Sequence, residues 1–221
     1  MSVQDLLANL EKVPLFELIT MIITSLCVTL IFLAVFIDFM VNSTKEQVSI
    51  EKKSIVETGT MTLFFALYYI VLRIGVGRKI VWMFLSLSEK NLMDNWIYIL
   101  MTAIGWMLLL VGTGVNIWGR IRLGTNWANH IKIYDQHTFV QIGPYRYVRH
   151  PLYSSLILML FSGSLIYQDI LLFVITLVIF VPMMIYRANQ EEALLKERFG
   201  NYRQYQETVG QLCPTMKWRK K

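Results

Sequence analysis

Pro151–Tyr186 reads PLYSSLILMLFSGSLIYQDILLFVITLVIFVPMMIY, apolar almost throughout and broken only at Tyr167-Gln168-Asp169. As one straight helix it would measure about 54 Å at 1.5 Å per residue, too long for a hydrocarbon core of about 30 Å. The polar interruption splits it into two arms, each near the lower limit for spanning. The reading is therefore a tight helical hairpin with both ends on one face of a membrane. Composition agrees. The 221 residues are 55% hydrophobic and only 16% charged, against about a quarter charged in soluble domains.

Outward from the hairpin, three more segments are long and apolar enough to cross. Trp96–Trp118 has tryptophans near both ends, as an aromatic belt would place them. Ile55–Leu72 is closed by Arg73, and Leu18–Val41 carries one flaw, Asp38, close enough to its end to reach the interface. The first apolar run has no basic lead or small-residue cleavage site, so it reads as a retained span. Ile80–Leu87 is too short to cross and reads as interfacial or re-entrant. The expected fold is an all-α integral membrane protein of about five transmembrane helices, the last two a hairpin, followed by a cytoplasmic C-terminal helix. Residues 1–95 carry no motif, and residues 96–221 hold the polar features below.

The net charge of +6 matters through its distribution. Arg187–Lys221 holds eight Lys/Arg and the loop Gly119–His150 holds five. Basic residues beside spans favour the cytoplasmic side, and a basic tail can lean on anionic lipid head groups. With both segments inside, the N-terminus lies outside and the loop bearing Lys45, Lys52 and Lys53 lies inside. Arg73, Arg78, Lys79 and Lys90 then fall on the outer side, against the rule. No recognisable nucleic-acid module accompanies the basic residues. Two cysteines, Cys27 and Cys213, make no disulfide framework, and three irregularly spaced histidines make no His-based metal site.

Polar chemistry concentrates at the two open ends of the hairpin. One cluster is Gly143-Pro144-Tyr145-Arg146-Tyr147-Val148-Arg149-His150-Pro151-Leu152-Tyr153. Pro151 suits a helix start and disfavours helical geometry at His150, so Arg149 and His150 stand just outside a helix N-terminus that attracts anions. The other cluster is Arg187 with Glu191 and Glu192, where Arg187 and Glu191 share a helix face. Singly, each of these residues is an ordinary interfacial anchor or solvated charge. Together they make a polar site at one membrane face without specifying a reaction.

The same residues carry a resemblance. Asn126-Trp127, His137-Thr138-Phe139-Val140, Gly143-Pro144-Tyr145, Arg149-His150-Pro151-Leu152-Tyr153, Arg187…Glu191-Glu192 and Phe199-Gly200-Asn201-Tyr202-Arg203-Gln204-Tyr205, with Pro214 beyond, resemble isoprenylcysteine carboxyl methyltransferases and their prokaryotic relatives. The likeness runs over roughly residues 105–214. It implies an S-adenosyl-L-methionine-dependent methyltransferase acting on a lipophilic or lipid-modified acceptor, without a metal, the cofactor enclosed by loops and the C-terminal helix. Carried onto this chain, cofactor contacts fall on His137, Thr138, Phe139, Val140, Tyr145, Arg149, His150, Pro151, Leu152, Tyr153 and Glu191. Arg187 matches the arginine that faces the methyl acceptor. Lys132 departs from the polar or acidic residue of relatives and is left out of the site.

A carboxylate acceptor is already a nucleophile and needs an orienting cation, the part expected of Arg187. An amine acceptor, as in the neighbouring phospholipid N-methyltransferases, must first lose a proton, and Glu192 is the candidate base. A sterol-type membrane reductase shares part of the pattern, and a scaffold or transporter subunit is the reading from another class. Transport is disfavoured because few charges lie at mid-membrane.

Overall fold

The computed structural model describes residues 15–42, 48–51, 96–124, 132–134 and 139–215. Two long apolar helices come first, α1 (Leu15–Asn42) and α2 (Trp96–Leu123). The hairpin follows as α3 (Pro151–Ile166) and a second arm made of α4 (Ile170–Ile175), a widened turn at Thr176–Phe180 and α5 (Val181–Arg198). A short α6 (Tyr202–Thr208) closes the described chain. Leu18–Asp38, Trp96–Leu123 and Ile170–Arg198 are each long and apolar enough to cross a membrane, and α3 is a shorter apolar helix. The expected span Ile55–Leu72 and the segment Ile80–Leu87 lie outside the described residues.

The hairpin turns where the sequence changes character. Gln168 adopts φ +50°, and Asp169 caps the returning arm by accepting from the backbone N–H of Leu172 at 3.0 Å. Pro182, just inside α5, has no N–H to give the preceding turn, and there the helix widens to π geometry, with Val181 N–H reaching Thr176 O. The second arm does not stop at Tyr186. It continues to Arg198, 29 residues in all or about 43 Å, so its last turns project beyond a core of about 30 Å. Glu191 and Glu192 sit on that projecting end.

Small residues set the packing of α2 on α3. Gly105, Gly112 and Gly119 recur every seventh residue and face α3 closely. A Cβ at Gly105 would lie 2.6 Å from Ile166, at Gly112 2.8 Å from Met159, and at Gly119 2.9 Å from Leu152. These contacts run in opposite order along the two helices, which are therefore antiparallel. Lipid offers no hydrophobic drive between helices, so close approach over small residues supplies the contact instead. On the other side, Leu160, Phe180 and Met184 join α3 to the second arm.

α1 runs parallel to α2: Phe16 packs against Tyr98 and Trp106 with tilted rings at one end, and Asp38 meets Arg120 at the other. Asp38, expected near the end of its span, is an ion-pair partner of Arg120 on the neighbouring helix. Beyond these two helix ends, strands β1 (Val48–Glu51) and β2 (Lys132–Tyr134) pair antiparallel. This pair is a small addition to the helical class expected. It ties the loops after α1 and α2 to one face, the face that also receives the open end of the hairpin.

Candidate active site

The site is assembled where α3 begins, where α5 ends and where the C-terminal segment folds back over both. Pro151 starts α3 as its first residue, leaving His150 at the cap with non-helical φ −123° and ψ 66°. Val148 pairs with Gly210, and the N–H groups of Arg149 and His150 donate to Gly210 O and Gln211 O at 2.8 and 3.0 Å. Ser154 Oγ donates to Leu212 O at 2.6 Å. The segment entering α3 is thereby stitched to residues 209–212, and its side chains are aimed at α5.

A continuous polar chain results. Arg187 Nε donates to the Tyr153 hydroxyl at 3.1 Å, and that hydroxyl donates to Glu191 Oε2 at 3.0 Å. The His150 ring lies parallel to Tyr153, with centroids 5.4 Å apart. Its Nδ1 stands 3.5 Å from Glu191 Oε2 and its Nε2 3.1 Å from Glu192 Oε1. Glu192 also accepts from Arg149 Nε at 2.8 Å, from Arg149 Nη2 at 3.4 Å and from Gln206 Nε2. Arg149 Nη1 donates to the carbonyls of Gln206, at 3.1 Å, and of Val209.

Electrostatics follows from this arrangement. Burial opposes a charge on His150, but hydrogen bonds to Glu191 and Glu192 outweigh it and raise its pKa to about 9. At neutral pH the ring is an imidazolium clamped between two carboxylates. Those carboxylates are not equivalent. Glu192 is 5% exposed and saturated by donors, whereas Glu191 is 39% exposed and open on one side.

The sequence-predicted residues divide into four groups. Arg149, His150, Tyr153, Arg187, Glu191 and Glu192 form the chain just described. Phe139 and Tyr145 join an aromatic layer beneath it: Phe139 contacts Phe199, Tyr202 and Tyr205, and the Tyr205 hydroxyl donates to Tyr145 O. Val140 follows Phe139 half-buried, Pro151 is buried at the helix start, and Leu152 packs on Gly119. His137 and Thr138 lie outside the described residues. Gln206 was missed. It sits one residue past the aromatic motif of α6, and only its contact with Glu192 marks it. Among the described residues no group of His, Cys, Asp or Glu is arranged to hold a metal ion.

Helices long and apolar enough to cross a membrane thus carry a cluster of polar side chains at the open end of a helical hairpin. Residues 103–197 match the family model of isoprenylcysteine carboxyl methyltransferases. The matched region takes in most of α2, the loop after it, the hairpin and nearly all of α5. None of the curated proteins compared with the chain matches it. The family that this region matches is one of methyltransferases.

Proposed function

We propose that the protein transfers a methyl group from S-adenosyl-L-methionine to the carboxylate of a lipophilic, isoprenylcysteine-like acceptor, at the cytoplasmic face of its membrane. The observation that carries this reading is the Arg187–Tyr153–Glu191 chain, which sets an orienting cation beside an open carboxylate at the projecting end of an apolar hairpin. The donor set suits the cofactor. Glu191 keeps acceptor capacity for hydroxyl or amino groups and offers negative charge to a cationic ligand, while the His150–Tyr153 stack gives it a flat wall. When bound, S-adenosyl-L-methionine supplies an activated methyl group on a sulfonium.

The chain's own residues have simple tasks. Arg187 holds the acceptor carboxylate through parallel hydrogen bonds, fixing its direction without removing its nucleophilicity. Glu191 anchors the cofactor. Glu192, occupied by Arg149, His150 and Gln206, braces the site. A carboxylate needs no proton removed, so no residue has to act as base. An amine acceptor would need one, and Glu192 is bound on both oxygens, which favours the carboxylate. The basic residues of the loop and tail support the cytoplasmic assignment.

Arg187→Lys tests the acceptor role. Lys is a point charge that cannot reproduce two parallel hydrogen bonds. Turnover on a prenylcysteine analogue should fall at least about tenfold, the equivalent of about 1.4 kcal/mol, with cofactor affinity within a few fold. Full turnover in Arg187→Lys would remove Arg187 from acceptor binding.

A further inference from the structure

A second polar chain lies inside the helical layer, apart from the site. Arg120 on α2 donates through Nη1 to Asp38 on α1 at 2.6 Å and through Nε to Asn116 at 2.7 Å. Asn116 Nδ2 donates to Ser155 Oγ on α3 at 2.7 Å, and Ser155 Oγ donates to Leu152 O at 2.7 Å. Asn116 and Ser155 are fully buried, and Asp38 and Arg120 nearly so. Three helices are joined in one line, ending on the carbonyl of the residue between Pro151 and Tyr153.

Stability alone is a poor reason for such a chain. A buried ion pair is roughly neutral against apolar residues of similar shape, and its best-attested use is to set register. Gly105, Gly112 and Gly119 fix how closely α3 approaches, with Ile166, Met159 and Leu152 seated over them. Those contacts are apolar and non-directional, whereas the hydrogen bonds of the Arg120–Asn116–Ser155 line are directional and hold one register. Each residue of slip moves a helix by about 1.5 Å, and misplacement of about 1 Å at a reacting centre can cost about a hundredfold in rate.

We infer that Asp38, Arg120, Asn116 and Ser155 are positioning residues: they lock the first turn of α3 axially, so that His150 and Tyr153 meet Glu191 and Glu192 on α5. The Arg120 fork is suited to this because it holds α1 and Asn116 at once. Its charge also acts on Tyr145, in the aromatic layer under the site, whose phenol burial and Glu191 push upward. The inference rests on the methyltransferase reading for its kinetic consequence, but not for its structural one.

The test uses the full-length protein in bilayer nanodiscs, with Asn116→Leu and, as a smaller deletion, Ser155→Ala. Three quantities are read: helical content by circular dichroism, turnover with cofactor affinity, and the His150 titration by NMR of a ring-labelled sample. With helical content retained, turnover should fall about tenfold or more, and the His150 midpoint should move from about 9 toward an ordinary histidine value. Turnover within twofold of wild type and an unmoved His150 midpoint, in either folded variant, would overturn the inference. If wild type itself neither binds the cofactor nor turns over, the functional reading fails, and the His150 midpoint in the variants still decides whether the chain positions the site.

Discussion

The two adjacent carboxylates of α5 should separate cleanly under mutation. Glu192 is 5% exposed and accepts from Arg149 Nε at 2.8 Å, His150 Nε2 at 3.1 Å and Gln206 Nε2. Glu192→Gln keeps the shape but removes the charge, and it turns an N–H donor toward groups that are already donors. Removing one partner of a buried pair costs about 3–5 kcal/mol. The amide still accepts one bond, so the lower half, about 3 kcal/mol, is expected. Glu191→Gln differs. Its carboxylate is 39% exposed, accepts from Tyr153 at 3.0 Å and faces His150 Nδ1 at 3.5 Å, so the stability loss should be smaller, about 1–2 kcal/mol. The function lost should be reversed: Glu191→Gln weakens S-adenosyl-L-methionine binding by about 1–3 kcal/mol in a well-folded protein. Equilibrium unfolding in mixed micelles reads the first quantity and calorimetric cofactor titration the second. A Glu192→Gln protein as stable as wild type, or a Glu191→Gln protein with undiminished cofactor affinity, would refute the division of labour.

Two further expectations follow from the same geometry. His150 is raised to about 9 in the folded protein, above the ordinary histidine value of about 6.5, so its stabilising contribution is complete below about pH 6.5 and is lost as pH rises through about 9. Unfolding midpoints measured from pH 6 to 10 should decline over that window in wild type and much less in His150→Gln; parallel curves would contradict the assignment. Gly112→Ala places a Cβ 2.8 Å from Met159 and 3.1 Å from Ser155 O and should destabilise by about 1–3 kcal/mol. At Gly114, where nothing lies within 4 Å, the same change should be neutral or slightly stabilising; equal costs at both sites would argue against close α2–α3 packing.

How far the sequence carried the account depends on the range of the interactions. The hairpin could be read because its signals are local: an apolar run, a polar break at Tyr167–Asp169 and Pro151 at the start of α3. The meeting of His150 with Glu191 followed from that hairpin, since its length returns both ends to one face. Gln206 and Val209 could not be found this way. They reach Arg149 only because the chain after α6 folds back to pair Gly210 with Val148, a contact with no periodicity to announce it. Asp38 shows the same limit. Within its own helix it looks like a blemish near a span's end, and its meaning appears only with Arg120, 82 residues away. The proposed reaction rests on the family likeness, because residue types and spacing alone define a polar site and no reaction.

One product analysis tests the acceptor's chemistry directly. The protein, in nanodiscs, is incubated with methyl-labelled S-adenosyl-L-methionine and an N-acetyl prenylcysteine, and the labelled lipophilic product is then treated with mild alkali. A methyl ester is hydrolysed and releases volatile labelled methanol, whereas an N-methyl group stays with the lipid. The Arg187–Tyr153–Glu191 arrangement predicts label that is quantitatively alkali-labile. Alkali-stable label, or label found on an amine-bearing phospholipid of the nanodisc and none on the prenylcysteine, would contradict carboxyl methylation.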